Sequence, residues 1–260
     1  MPHVSGLYWE SHGRDDAPPL ILSAGLGGSG SYWLPNVPAL AEHFRVILYD
    51  HRGTARSDRA LPDVVTVDQM AEDVLMLIDG LGLERPHFMG HAAGGVAGLA
   101  LALKAPERLG KLVVVNGWAR LDPHFARCFD ARLAILRGAG PEAYLRAQPI
   151  FLFPAPWISE NHERLEAETR HHLENFPGAA TVEKRIAALR AFDIDSRVEE
   201  IAVPVLALAS RDDMLVPYTA SAFVEHVPGG EAALMDWGGH ACNLTDPANF
   251  ESVVLDFLRS

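Results

Sequence analysis

Residues 90–94 read Gly-His-Ala-Ala-Gly, a spacing at which many enzymes carry a serine nucleophile in the central position. Gly90 and Gly94 lie on either side of Ala92, and glycines there permit a sharp turn between a strand and a helix. The methyl group of Ala92 cannot attack a carbonyl. The spacing therefore predicts a nucleophile elbow without a nucleophile, although small-residue turns without any chemistry are also common.

Two later residues could supply acid–base chemistry to that turn. Asp213 follows the apolar run 203–210, and His240 follows the run 232–239. Enzymes with this elbow carry nucleophile, acid and base in that chain order. The carboxylate would hold the imidazole in one tautomer and stabilise its cation. We therefore expect Asp213 and His240 to be the catalytic residues, and the neighbouring Asp212 to be a surface charge.

A pair of backbone amides should complete the site as an oxyanion hole. One amide in such enzymes belongs to the residue after the nucleophile, here Ala93. The other comes from the loop after an earlier strand, where Leu26 is the expected donor. Backbone donors do not depend on the side chain at position 92, so the hole should persist.

The same early loop also favours a rival function. Gly25, Gly27 and Gly30 have the Gly-x-Gly-x-x-Gly spacing of a dinucleotide site, and Asp50 ends the next strand. An NAD-binding oxidoreductase is therefore an alternative. Two prolines soon after Gly30 argue against the phosphate-binding helix that such a site needs, and this alternative leaves Asp213 and His240 unexplained.

Composition limits the classes of partner. The 260-residue chain has 22 basic and 34 acidic residues, a formal net charge of −12. This charge argues against nucleic acid and against anionic membrane surfaces. Two cysteines in no pattern and an N-terminus without a signal-peptide pattern favour the cytoplasm. No cofactor or metal site is expected. The expected partner is a small-molecule substrate, and a homodimer is expected without any specific residue to support it.

The order of elements predicts how these residues are brought together. Apolar runs typical of strands buried on both faces alternate with helical patterns, which predicts an α/β fold with a mostly parallel central sheet and helices on both faces. A helix should begin after Thr66, whose capping box uses Gln69. A second should follow the elbow and end before Pro106, and a last one should span about 247–257. Residues 5–11 could add an antiparallel edge strand. The six predicted strand runs are 19–25, 44–50, 87–92, 112–117, 203–210 and 232–239.

One long segment contains helical patterns but no strand run. We therefore predict an α/β core formed by 1–118 and 198–260, with residues 119–197 inserted as a helical cap over the carboxyl ends of the strands. The apolar stretch PIFLFPAPW within the cap could line the pocket or form the core of the cap.

The whole chain resembles the α/β-hydrolase superfamily, and more narrowly the RutD-like carbamate or aminoacrylate hydrolases of the bacterial Rut pathway of uracil catabolism. The stretches that carry the narrower resemblance are GLGGSGSYWLP, YDHRGTARS, GHAAG, VNGW, RCF, AQPIFLFPAPW, LEAE and GGHACNLTDP. The resemblance implies that alanine is the native residue at position 92. It also implies a hydrolase of a small labile substrate, carbamate or aminoacrylate.

An Asp–His pair and an oxyanion hole without a serine would suffice for such a substrate, because it already decays unaided. His240 would either activate a water molecule or deliver a proton to the leaving nitrogen. The remaining alternative is a ligand-binding protein on a hydrolase scaffold that performs no chemistry.

Overall fold

The computed structural model describes residues 2–260, so Met1, the first residue of the predicted core, lies outside the described residues. An eight-stranded sheet runs through the molecule in the order β1-β2-β4-β3-β5-β6-β7-β8. The two pairings that involve β2 are antiparallel and all others are parallel. The strands are β1 (His3–Val4), β2 (Leu7–His12), β3 (Pro19–Ser23), β4 (Arg45–Tyr49), β5 (His87–His91), β6 (Leu112–Val115), β7 (Val205–Ser210) and β8 (Gly230–Met235).

All six predicted strand runs form strands, and the predicted α/β fold with a mostly parallel central sheet is confirmed. Several strands end before the predicted run does, because the terminal Gly, Asp and Asn residues turn into loops. Residues 5–11 were predicted to form an antiparallel strand at the edge of the sheet. The antiparallel orientation is confirmed, but the edge position is wrong. β2 pairs with β4 on one side and with the two-residue β1 on the other, so β1 is the edge.

Helices cover both faces of the sheet. The apolar side chains of α2 and α3 form one buried cluster with one face, and those of α1 and α9 form a second cluster with the other face. The helices are α1 (Val37–Ala41), α2 (Val67–Gly80), α3 (Ala93–Lys104), α4 (Pro123–Leu152), α5 (Ala155–Glu160), α6 (His162–Glu174), α7 (Ala179–Ala191), α8 (Cys242–Thr245) and α9 (Pro247–Arg259).

The predicted helix boundaries follow from local chemistry. Thr66 and Gln69 form the predicted capping box at the start of α2. Helix α3 ends at Lys104, just before Pro106, because the residue before a proline is disfavoured in helical conformation. Helix α9 begins as predicted but continues to Arg259.

Four helices, α4 to α7, lie between β6 and β7. Helix α4 is interrupted at Gly140, whose φ of 84° is non-helical, and Pro141 follows it. The only strand-like contact recorded between 119 and 197 is a bridge between Arg120 and Asp193. The division of the chain into a core and a cap at residues 119 and 197 stays a prediction. None of the helices within 2–260 is both long and apolar enough to cross a membrane.

Candidate active site

The turn between β5 and α3 has elbow geometry. Ala92 lies between them with φ 46° and ψ −108°, a conformation that is costly for a residue with a Cβ. A Cβ added at Gly90 would lie 2.3 Å from the backbone of Gly94, and one added at Gly94 would lie 2.3 Å from the carbonyl oxygen of Ser23. The sequence therefore needs glycine at both positions, and the turn presents a methyl group where a nucleophile would stand.

Asp213 and His240 lie together. His240 Nδ1 is 2.7 Å from Asp213 Oδ2, and the two side chains are 2% and 0% exposed. The other carboxylate oxygen of Asp213 accepts hydrogen bonds from the amides of Leu215 and Val216, at 2.7 and 3.0 Å. An acceptor-only carboxylate implies that Nδ1 carries the proton, as assigned from these hydrogen bonds. In neutral His240 the Nε2 lone pair is then available for proton transfer.

The loop that carries His240 is held by three side chains from other elements. The carbonyl of His240 accepts hydrogen bonds from Asn116 Nδ2 and from His91 Nε2, both at 2.7 Å. Asp212 Oδ1 accepts from the amide of Gly239 at 2.9 Å and from Ser210 Oγ at 2.8 Å. Asp212 is exposed, as predicted for a surface charge, and it also positions the histidine loop.

His91 is a neutral side chain that holds the loop of His240 in place. Burial, with a smaller contribution from the charge of His240, holds the pKa of His91 well below its usual value. Its Nε2–H donates to the histidine loop, its buried Nδ1 has no hydrogen-bond partner among the described residues, and its ring stacks on Tyr32. No sequence signal assigned a role to His91 or Asn116, because each acts through a carbonyl more than a hundred residues away.

The two predicted oxyanion-hole residues follow neighbouring parallel strands. Ser23 pairs with Gly90 in the sheet, and Leu26 and Ala93 each come three residues later. The amides of Leu26 and Ala93 donate no hydrogen bond to any described residue. They are therefore available to a ligand, as an oxyanion hole requires.

The rival dinucleotide site does not fit the structure. The carboxylate of Asp50 is fully buried and accepts from the amide of Gly30 at 2.8 Å and from Arg56 Nε at 2.7 Å. A short 3₁₀ helix, Gly30–Asn36, follows the third glycine in place of a long phosphate-binding helix. Asp50 therefore braces the loop and is not free to bind a ribose.

The apolar stretch PIFLFPAPW joins helices α4 and α5 to the histidine loop. The carbonyl of Leu152 accepts a hydrogen bond from the amide of Ala241 at 3.1 Å. Phe151 and Trp157 are buried, and the ring of Phe153 stacks on that of Trp157. The stretch is therefore packed where helices α4 and α5 meet the histidine loop.

Two buried arginines of the cap were missed by sequence reasoning. Arg185 on α7 donates from Nε to the carbonyl of Leu26 at 3.1 Å, and burial lowers its pKa to about 10. Arg132 on α4 donates to the hydroxyl of Tyr144 at 3.2 Å. Both helices look like ordinary charged amphipathic segments, so only the fold reveals that these two cations point inward.

Both cysteines, Cys128 and Cys242, are buried and unpaired. Burial, followed by the charge of Asp213, raises the pKa of Cys242 to about 12, which fits a packing residue. No cluster of three or more His, Cys, Asp or Glu side chains suited to a metal ion occurs in 2–260.

Comparisons with known proteins agree with this architecture. A family model described as alpha/beta hydrolase fold matches residues 18–247. A protein of Caulobacter sp. strain K31 named "Putative carbamate hydrolase RutD" is 55% identical over 98% of this chain and 96% of its own length. A protein of the same name from Rhizobium rhizogenes is 52% identical over 98% of each chain.

Solved structures give the same result. The enol-lactonase from Burkholderia xenovorans LB400 superposes with a TM-score of 0.88 at 27% identity, covering 99% of this chain and 98% of that one. A hydrolase from Pseudomonas aeruginosa PA01 superposes with a TM-score of 0.85 at 30% identity, covering 98% and 94%. The chain therefore belongs to the α/β-hydrolase fold family and, within it, to the RutD family.

Proposed function

We propose that this chain hydrolyses a small, labile carbon–nitrogen compound, carbamate or aminoacrylate, in uracil catabolism, without a covalent intermediate. The observation that carries the proposal is the hydrogen bond of 2.7 Å between His240 and Asp213 in a protein whose elbow has Ala92 at the nucleophile position. The names of the RutD relatives support the carbamate assignment. A location in the cytoplasm and assembly into a homodimer stay predictions.

Carbamate requires only one proton transfer. The imidazolium of His240 would donate its Nε2 proton to the nitrogen of the substrate, and Asp213 would stabilise that cation beforehand. The carbon–nitrogen bond then breaks with its electron pair going to nitrogen, and ammonia and carbon dioxide leave. His240 recovers its proton from water.

Aminoacrylate requires water as a reactant. In its imine tautomer, neutral His240 would remove a proton from a water molecule beside Ala92 as the water oxygen adds to the imine carbon. The same imidazole returns that proton to nitrogen, which gives a carbinolamine. It then carries the hydroxyl proton of the carbinolamine to the amine nitrogen, so that the carbon–nitrogen bond breaks with its electron pair on nitrogen, ammonia leaves and the carbonyl forms. The amides of Leu26 and Ala93 would hold the oxygen. Both substrates therefore use the same atom of the protein, His240 Nε2.

The magnitudes favour a labile substrate. Enzymes stripped of triad members retain about 10³–10⁴-fold catalysis through the oxyanion hole and binding, and a positioned acid or base contributes about 10²–10⁴-fold. Such factors are too small for a stable amide. They are sufficient for a compound that decomposes unaided.

The test is the decay of each substrate with coupled detection of ammonia. Purified protein should accelerate the decay of carbamate, or of aminoacrylate generated in place, by no more than about 10³–10⁴-fold over buffer. If both substrates decay at the buffer rate while the protein binds a small ligand tightly, the hydrolase proposal is wrong and a ligand-binding role replaces it.

A further inference from the structure

The cap buries two arginines without a carboxylate partner. Arg132 is 5% exposed and Arg185 is 4% exposed, and neither forms an ion pair with an Asp or Glu of the described residues. Asp50, the buried carboxylate, is by contrast paired with Arg56. Unpaired buried charges are expensive, so proteins rarely keep them without a partner. The underside of the cap therefore carries positive charge that the protein itself leaves unneutralised.

Arg185 lies at the oxyanion loop. Its Nε donates to the carbonyl of Leu26 at 3.1 Å, and its Nη2 donates to Nδ1 of His51 at 2.8 Å. His51 can accept because burial, followed by the charge of Arg185, holds its pKa well below the usual value. Asp73 acts on Arg185 electrostatically, but its carboxylate is bonded to Arg52 at 2.7 Å. Arg185 is thus oriented by neutral acceptors, and no carboxylate of the described residues pairs with its positive charge.

Arg132 lies on the helix that contacts the loop of Asp213. Its polar contacts are the neutral oxygens of Tyr144 and Gln148, and its buried Nε has no hydrogen-bond partner among the described residues. Cys128 lies one helical turn earlier on α4, and its Sγ is 3.8 Å from the carbonyl oxygen of Met214, the residue after Asp213. The part of α4 that carries Arg132 therefore contacts the loop of Asp213.

Helices α4 and α7, which carry the two arginines, are joined by two ion pairs, Asp130–Arg190 and Arg137–Glu183. Arg132 lies between Asp130 and Arg137 on α4, and Arg185 lies between Glu183 and Arg190 on α7. The two buried cations therefore lie on neighbouring helices, one on the helix that contacts the acid loop and one at the oxyanion loop.

We propose that Arg132 and Arg185 bind the carboxylate of the substrate, so that the site takes small carboxylate anions and rejects their neutral analogues. Guanidinium–carboxylate hydrogen bonds are strong and directional, and here they would form where water is scarce. Each unpaired buried arginine destabilises the protein without ligand, and a bound carboxylate would remove this penalty by neutralising the charge. That the bound anion is the substrate rests on the proposed function; the anion site itself rests on the geometry.

Calorimetric titration with acrylate and acrylamide tests the site without turnover. The two probes have nearly the same shape, but only acrylate is charged. Acrylate should bind at least about tenfold more tightly than acrylamide, and Arg132→Met and Arg185→Gln should each weaken acrylate binding about tenfold or more. Equal binding of the two probes, or no acrylate binding by the folded wild-type protein, overturns the proposal.

Matched control variants are available five residues further on in each helix. Arg137 is paired with Glu183 and Arg190 with Asp130. Arg137→Gln and Arg190→Gln remove the same charge from α4 and α7 and should leave acrylate binding unchanged. Equal losses in these controls would overturn the proposal, because they would indicate a general charge effect.

Two further measurements separate binding from a structural role. Arg132→Met should unfold at or above the wild-type temperature, because a well-packed apolar side chain replaces an unpaired buried charge. Arg185→Lys, which keeps the charge, should retain part of the binding that Arg185→Gln loses. A lower unfolding temperature with unchanged acrylate binding in Arg132→Met makes that residue structural and overturns the proposal.

One outcome would place the anion elsewhere. A cavity of about 240 Å³ is lined by Arg185 and by residues of α2, and neither Ala92 nor His240 lines it. Acrylate binding that depends on Arg185 but not on Arg132 would assign the anion to that cavity and overturn the paired site. A different outcome separates the two proposals: acrylate binding that depends on both arginines, in a protein that accelerates neither decay reaction. This result would support the anion site and contradict only the proposed function.

Discussion

At the level of single residues, the site lacks one hydroxyl group and keeps the parts around it. Ala92 has elbow backbone angles, with φ 46°, and the His240–Asp213 hydrogen bond is 2.7 Å long. The amides of Leu26 and Ala93 donate to no described residue. The chemistry available to this site is therefore that of an acid–base pair acting on water or substrate directly.

Restoring the hydroxyl tests whether the elbow is set for attack. We expect the wild-type protein to ignore serine-directed phosphonate probes and the variant Ala92→Ser to be labelled, because only the nucleophile is missing. Mass spectrometry of the intact protein measures the labelling. A folded Ala92→Ser variant that stays unlabelled would mean that the turn and His240 are not aligned for nucleophilic attack.

The thiol of Cys242, two residues after His240, should be unreactive in the folded protein. Burial raises the pKa of Cys242 to about 12, and its Sγ contacts Asn116 Nδ2 at 3.7 Å. We expect no alkylation of Cys242 by iodoacetamide at pH 8 in the folded protein, full alkylation in denaturant, and retained activity in Cys242→Ala. Rapid labelling of the native protein with loss of activity would instead give this thiol a role in the reaction.

Some site residues could be predicted from sequence and others could not. That Asp213 and His240 lie together could be predicted, because each follows an apolar run and the carboxyl ends of parallel strands meet at one edge of a sheet. His91 and Asn116 carry no such signal, since they act on the carbonyl of His240, 149 and 124 residues away. Arg185 was missed for the same reason: its partner Leu26 is 159 residues distant.

At the level of elements, the site depends on how closely α3 packs on the sheet. A Cβ at Gly94 would lie 2.3 Å from the carbonyl oxygen of Ser23, which belongs to rigid strand β3. We expect Gly94→Ala to lower the free energy of unfolding by about 1–3 kcal/mol, because α3 must move away from the sheet. Urea denaturation measures the change.

Gly27 provides the control for that experiment. A Cβ at Gly27 would have no atom within 4 Å, and the residue has no positive φ. Gly27→Ala should therefore leave stability nearly unchanged. Equal stability of Gly94→Ala and wild type would show that the close approach of helix and strand is not needed at the elbow.

The pattern of elements was predictable where periodicity is strong. Strand β7 is buried along its whole length, as its unbroken apolar run predicted. β1 has only two residues, too few to show any alternation, so the sheet edge was assigned to β2 by mistake. Burial of the cap arginines depends on which face of α4 and α7 meets the core, and weakly amphipathic helices do not specify that face.

At the level of the whole molecule, charge is divided between surface and site. The chain has a net charge of −12, which disfavours polyanionic partners, yet Arg132 on α4 and Arg185 on α7 are buried. The loops after β7 and β8 supply the proposed acid–base pair, and helices α4 and α7, in the predicted cap, supply the cations. On this account the cap selects a small anion and the strand ends act on it.

The most direct test of the central claim compares the enzyme-dependent decay of the preferred substrate in wild type, His240→Ala and Ala92→Gly. His240→Ala should lose about 10²–10⁴-fold of the acceleration, as removal of a general acid or base does. Ala92→Gly should keep nearly all of it, because the methyl group has no chemical role and glycine accepts a φ of 46°. A His240→Ala variant as fast as wild type would contradict catalysis by the Asp213–His240 pair.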